Sequence, residues 1–310
     1  MLSNRSLLEK ADLALGDLTT DGGLLVPAQA TKFVRLLIKE SNAMQDWDTM
    51  MMNSPKRLIE TSRFSGRVLK PGVSGAALSV GDRSKPDLGK VELDAQLLKA
   101  EVRLNNEVLE DNIERGSLRN TIMQMLGEAV SRDLEYLLIN GDTASGDPLL
   151  AVLDGVLKQI TTNIVTFGTN PTDKDLWSQM LKKLPSAYLQ RDKLKYYTSI
   201  RSDLDYRDSL SERATQLGDK RLTDAGETQF QTVAIKPVPE WPENLGGGTN
   251  ETAPILTDPK NIAVGFHRKM RIETDRDISA GELIIVISMR VDVKLVHEPA
   301  AVKATGVLAA

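Results

Sequence analysis

The sequence predicts an α+β protein, on three observations. Val91, Leu93, Ala95 and Leu97 alternate with Glu92, Asp94 and Gln96, and Met289, Val291, Val293 and Leu295 alternate with Arg290, Asp292 and Lys294. A period of two lines one face of a strand with apolar side chains. Leu118, Ile122, Met125, Leu126, Ala129, Val130, Leu134, Leu137 and Leu138 step instead by three and four, the spacing of one long helix. The order of segments is an arm, a long ribbon, that helix, a mixed block and terminal strands; no internal repeat interrupts it.

Composition narrows the function. The chain has 310 residues, 41% hydrophobic and 26% charged, with a formal net charge of −4. That is the make-up of a globular protein of about two domains. It has no cysteine, which excludes disulfides, thiolate nucleophiles and iron–sulfur ligation. His267 and His297 are the only histidines, too few for a His-based metal site or relay. Aromatics at 4% make base-stacking platforms a poor fit, and a slightly acidic chain lacks the basic stripe of a nucleic-acid binder. The longest aliphatic run is Leu283–Ile287, far short of a bilayer span of about 20 residues. The N-terminus alternates charge and leucine, unlike a signal peptide, and implies a soluble product made in the cytoplasm.

Each element follows from local pattern. Leu2–Leu18 and Gln29–Asn42 carry helical spacing on either side of the breaker Thr19–Gly23, which predicts an arm of two small helices with no core of its own. From Lys56 the pattern becomes strands and turns, with glycine and proline crowding 70–89, so a long β-excursion with a loose tip is expected. A lone two-stranded ribbon is marginal in water, and its own chain offers no obvious partner, a first hint of intermolecular packing. The helix Ser117–Asn140 spans about six turns, roughly 35 Å, with Ser117 as N-cap and Gly141 as a left-handed stop. A second helix is expected over Thr172–Leu189 and a third over Arg201–Leu217, after a buried strand at Lys195–Ile200. Further strands are expected at Val233–Val238, Ile262–Phe266, Met270–Thr274 and Leu283–Val296.

The search for chemistry finds little. No phosphate-binding, dinucleotide-binding, zincin or nucleophile-elbow motif is present. Gly72–Ala76 is one residue from an elbow but lacks the helix, and Gly246–Gly248 lacks the lysine and helix of a phosphate cradle. Asp142, Asp147 and Asp154 have the wrong spacing for a calcium loop and read as turn chemistry; a carboxylate hydrolase built on them is the distant alternative function. His297 reads as an edge histidine, and Met50–Met52 as gap-filling apolar residues.

Charge is distributed unevenly. Between Lys56 and Lys99 nine basic residues face five acidic ones, a local net charge of +4 that leaves the rest of the chain at −8. A basic ribbon docking on an acidic surface of another copy fits that asymmetry, with charge setting register more than affinity.

At this point the sequence resembles the major capsid proteins of tailed bacteriophages, the family with the Hong Kong 97 phage fold, over about Thr19 to Val302. The resemblance rests on Thr-Thr-Asp-Gly-Gly-Leu-Leu-Val-Pro-Ala28, on Val108-Leu-Glu-Asp-Asn112 with the long helix ending Leu138-Ile-Asn-Gly-Asp142, and on Tyr196-Tyr-Thr-Ser. It continues in Val238-Pro-Glu-Trp-Pro242, Asp258-Pro-Lys-Asn-Ile-Ala-Val-Gly265 and Arg290-Val-Asp-Val with Pro299-Ala-Ala-Val302, all in the family's order.

The resemblance implies an N-terminal arm over 1–55, an extended β-loop over 56–99, a peripheral domain with a spine helix over 100–154, an axial domain over 155–261, peripheral strands over 262–298 and a return to the axial domain over 299–310. It further implies a non-enzymatic, cofactor-free subunit that assembles into pentamers and hexamers of an icosahedral virion shell in the host cytoplasm. The shell encloses double-stranded DNA without sequence-specific binding. The expected contacts between subunits are Arg63, Arg67, Lys70, Lys85 and Lys90 on the ribbon. No asparagine follows Asn261, so Lys–Asn cross-linking is not expected, and non-covalent contacts or a decoration protein would stabilise the shell. The arm begins almost at Met1, which points to scaffolding by a separate protein; a portal is the other expected partner. An encapsulin-type cargo compartment of the same fold is the nearer alternative.

Overall fold

In a computed structural model of the chain the described residues are 23–24, 43–64, 67–72, 74–75, 77–105, 118–211, 228–246, 250–267 and 271–309. The two arm helices, the Val108–Asn112 motif, the Ser117 cap and residues 212–217 of the third expected helix lie outside them.

In chain order the elements are β1 (Gly23–Leu24), β2 (Asp48–Met52), β3 (Lys56–Arg63), β4 (Asp87–Asp94), β5 (Gln96–Asn105), α1 (Leu118–Asn140), α2 (Val156–Gln159), β6 (Ile164–Pro171), α3 (Lys174–Lys183), β7 (Lys195–Thr198), α4 (Ile200–Ser211), β8 (Gln229–Phe230), β9 (Val233–Pro237), β10 (Glu251–Thr252), β11 (Ile255–Thr257), β12 (Ile262–His267), β13 (Arg271–Asp277), β14 (Glu282–Leu295) and β15 (Val302–Leu308). They form two large sheets and one two-stranded ribbon, β3 with β4.

The first sheet is built on β14. Its Val291 pairs with Gln96 of β5 on one side and with Phe266 of β12 on the other, so β12 and β13 occupy one edge in succession and β5 the opposite edge. β2 adds to β12 in parallel. The helix α1 covers this sheet: Leu134, Leu137, Leu138 and Ile139 are buried against a core that includes Ile285, Ile287, Met289, Val291 and Val293. The alternation read along β14 is therefore the alternation of residues beneath α1.

α1 stops where expected, for a different reason. Gly141 does not have the left-handed backbone that its position suggested. Its N–H donates to Leu137 O at 2.8 Å, and a Cβ there would stand 2.4 Å from Leu153 O, so the glycine is required by close approach of the following chain. Gly155 returns the contact, its N–H donating to Gly141 O at 2.8 Å.

The second sheet runs β10-β15-β11-β7-β9-β8, with β6 along the other side of β15. α3 packs Leu176, Trp177, Met180 and Leu181 onto it. This helix is shorter than the sequence pattern suggested because Pro185 follows Leu184; Asp173 caps its start, accepting from Asp175 N at 2.8 Å and Leu176 N at 3.0 Å.

Residues 43–47 join the two sheets. Ala43 N donates to Oε1 of Glu135, a buried α1 carboxylate, at 2.5 Å. Asp46 accepts from Lys236 of β9 at 2.7 Å and pairs with Lys195 of β7 at 3.1 Å. Trp47 meets Tyr197 edge-on at 6.2 Å, and Tyr197 stacks on Trp241 at 6.4 Å. Burial pushes the Asp46 carboxyl up, but Lys236 and Lys195 outweigh it and hold it below the usual carboxylate range. A depressed folded value contributes stability that is present above the unfolded value of about 3.9 and lost as pH falls through the folded one. Asp46→Asn is accordingly expected to cost about 1–3 kcal/mol in urea unfolding at neutral pH. The difference from wild type should shrink below about pH 4.

Candidate assembly surface

The ribbon projects from the first sheet without a third strand. β3 and β4 pair from Lys56↔Asp94 to Arg63↔Asp87, eight residues a side, about 26 Å of strand. Pairing within the ribbon ends at Asp94; Gln96–Lys99, expected in the extended loop, pair with β14 as the start of β5. The root is held in two ways. Leu93 is fully buried with Met52 and Ala95, and Ile59 packs on them. Asp292 of β14, itself buried, accepts from Asp94 N at 2.8 Å.

Register assigns the ribbon's faces. Arg57, Ile59 and Thr61 lie opposite Leu93, Val91 and Gly89, and this face is apolar toward the root. A Cβ on Gly89 would stand 2.6 Å from Thr61 Oγ1, so the cross-strand hydroxyl fills that place. The other face places Lys56, Leu58 and Glu60 opposite Asp94, Glu92 and Lys90. Lys56 pairs with Glu92 at 3.1 Å and Asp94 at 3.0 Å, and Lys90 lies 3.9 Å from Glu60.

The five expected contact residues therefore divide. Lys90 and Lys70 each have an acid of their own ribbon at the limit of pairing, Lys70 at 4.0 Å from Asp82. Arg67 and Lys85 are exposed and make no ion pair among the described residues. The backbone of Arg63 closes the ribbon pairing opposite Asp87. Exposed pairs of this kind hold a ribbon's register weakly, at about 0–1 kcal/mol each.

Charge counting overlooked the apolar side chains. Phe64 (57% exposed), Leu69 (92%), Val80 (81%) and Leu88 (69%) stand in solvent at and beyond the ribbon's end, with Val68 and Leu78 also exposed. The signal was present in the sequence as apolar residues inside a glycine- and proline-rich stretch too short to build a core of its own. A concentration of this kind marks an interaction surface.

The aspartates of the alternative hydrolase are occupied with turns. Asp142 accepts from Ala144 N and pairs with Lys158, each within 3.0 Å; Asp147 accepts from Leu149 N; Asp154 accepts from both N and Oγ1 of Thr143. The Ala144 N–H and the Lys158 ammonium hold Asp142 below its ordinary value, the opposite of what a general acid needs. No group of three or more metal-ligating side chains occurs among the described residues. His297 shares a 2.7 Å hydrogen bond with Tyr188 OH, as befits a satisfied edge histidine. Met52 is fully buried at the ribbon root, filling the gap against Gly265.

Residues 22–306 match the profile of the family described as the phage capsid family. The chain belongs to that family. It is 35% identical over 309 residues to the prophage capsid protein YqbE of Bacillus subtilis (strain 168), covering 97% of this chain and 98% of that one. A chain of the satellite phage P4 procapsid, a structure that includes the size determination (Sid) protein, superposes with a TM-score of 0.67 at 12% identity over 99% of this chain and 98% of that one. The capsid of the native GTA particle gives 0.65 at 11% identity (86% and 90% covered), and the SrpI encapsulin of Synechococcus elongatus PCC 7942 gives 0.57 at 8% (85% and 86%). The fold is thus of the Hong Kong 97 type, and the chain is a major capsid protein that builds an icosahedral shell; its role is structural.

The ribbon root supplies a test of how the surface is held. Burial pushes the Asp292 carboxyl up, against the hydrogen bonds from Asp94 N and Val293 N. A raised folded value means the favourable contribution is complete in acid and declines as pH rises through that value. Asp292→Ala is expected to lower stability by about 1–3 kcal/mol near pH 4 in urea unfolding. The loss should be smaller at about pH 8, where wild type already bears the cost of a buried charge.

Proposed function

We propose that copies of this chain associate as pentamers and hexamers of the shell, each ribbon lying on a neighbouring subunit, and that the shell encloses the double-stranded DNA of a tailed phage. The observation that carries this reading is the ribbon itself: two strands rooted in a core, ending in apolar side chains that nothing in the described chain covers. In this reading α1 and the first sheet form the peripheral domain and the second sheet most of the axial one. A net charge of −4 suits a container, since each neutralised phosphate would add salt-dependent affinity for the DNA inside.

A separate scaffolding protein, a portal and a decoration protein complete the proposed partners, with assembly in the host cytoplasm. The size determination protein in the P4 procapsid is in line with a separate assembly factor. Relationship to a prophage capsid protein favours a genome over packaged enzymes as contents. Nucleic acid in purified shells would support this, whereas cargo protein without nucleic acid would favour the encapsulin reading.

Negative-stain microscopy with light scattering on the recombinant protein tests the assembly. Closed shells, pentamers or hexamers are expected, and a homogeneous monomer that scaffold co-expression fails to assemble would overturn the reading. The ribbon cations Arg63, Arg67, Lys70, Lys85 and Lys90 are proposed to meet acidic neighbours. Reversing Arg67 and Lys70 to Glu is expected to lower shell yield several-fold at low ionic strength; unchanged, stable shells would remove those two from the interface.

A further inference from the structure

We propose that the apolar end of the ribbon, led by Leu69, docks in a neighbour's groove between α1 and β5, and that apolar burial here holds the ribbon down while charge sets its register. This deepens the assembly reading above and rests on it. The groove is a small cavity of about 90 Å³ lined by Leu98 and Ala100 of β5, Val130 and Leu137 of α1, and Met289 of β14. Asp133 stands at its edge, exposed and without an ion pair among the described residues.

Three observations select a second copy as the occupant. First, the groove lies beside the root of the ribbon, since β5 begins two residues after β4 ends. A paired ribbon about 26 Å long cannot bring its own end back to its own root. The two surfaces are complementary but separated, the arrangement of a head-to-tail contact, which closes into rings when the rotation between copies allows. Second, the chemistry matches: Leu69, Val80 and Phe64 are the strongly exposed apolar side chains of the ribbon end, and the groove is apolar within. Third, Arg67 is two residues from Leu69 and makes no ion pair among the described residues, so it can face the unpaired Asp133 when Leu69 is seated.

Lys70 and Lys90 have acids on their own ribbon and add little to such a contact. Raising ionic strength should accordingly slow assembly without dissolving formed shells.

The test places a benzophenone amino acid at position 69, a site 92% exposed in the subunit and so without effect on its folding. Shells assembled from mixed ¹⁴N- and ¹⁵N-labelled subunits are irradiated, and cross-linked peptides are identified by mass spectrometry. Isotopically mixed cross-links from 69 to peptides containing Leu98–Ala100 or Val130–Leu137 are the expected result. Intact shells whose cross-links run instead to the arm, to the β13–β14 turn or within one chain would overturn the docking site and leave the assembly reading standing. Absence of any shell would overturn both.

Discussion

A two-stranded sheet has too little surface to bury to sustain itself, and this chain contains one about 26 Å long. Everything else in the structure either anchors that ribbon or receives what it exports. Leu93, packed with Met52 and Ala95, and Asp292, reaching across to the Asp94 N–H, fix the root so that the strands leave the body in one direction. Beyond the root the side chains reverse the usual rule: apolar groups are outside and the ion pairs lie along one face. A monomer in that condition holds unburied apolar surface, and association relieves it.

The body supports this by being rigid where the ribbon starts. One core runs from α1 across the first sheet to Tyr197, Trp241 and Ile255 beside the second. Residues 43–47 stitch the same junction through Glu135, Lys195 and Lys236. A load applied to the ribbon is therefore transmitted to both sheets through packed side chains, which deform little. The geometry suits a shell subunit, whose neighbours pull on an extended loop.

Much of the fold was legible because periodicity is a local property. α1 was expected over Ser117–Asn140 and occurs over Leu118–Asn140; the alternation of β14 marked its buried face. The errors have physical causes. An alternating run does not say which strand it pairs with, and residues 91–104 alternate continuously although pairing passes from the ribbon to the first sheet at Ala95. The strands β2, β6 and β15 were not anticipated, since Met50–Met52 carry no polar alternation and β15 is interrupted at Gly306, where φ is +70°. Of the contact surface, the positive charge of the ribbon could be counted from the sequence. That Lys70 and Lys90 have acids within their own ribbon depends on register and turn geometry, which composition does not reveal.

The central claim is that the ribbon's end serves assembly and not folding. Replacing residues 64–86 with Asn-Gly, which closes a two-residue hairpin between Arg63 and Asp87, separates the two most directly. Sedimentation and thermal unfolding of this shortened subunit should show a folded monomer with a melting temperature close to that of the unassembled parent, under conditions where the parent forms shells. Closed shells from the shortened chain, or an unfolded subunit, would contradict the account.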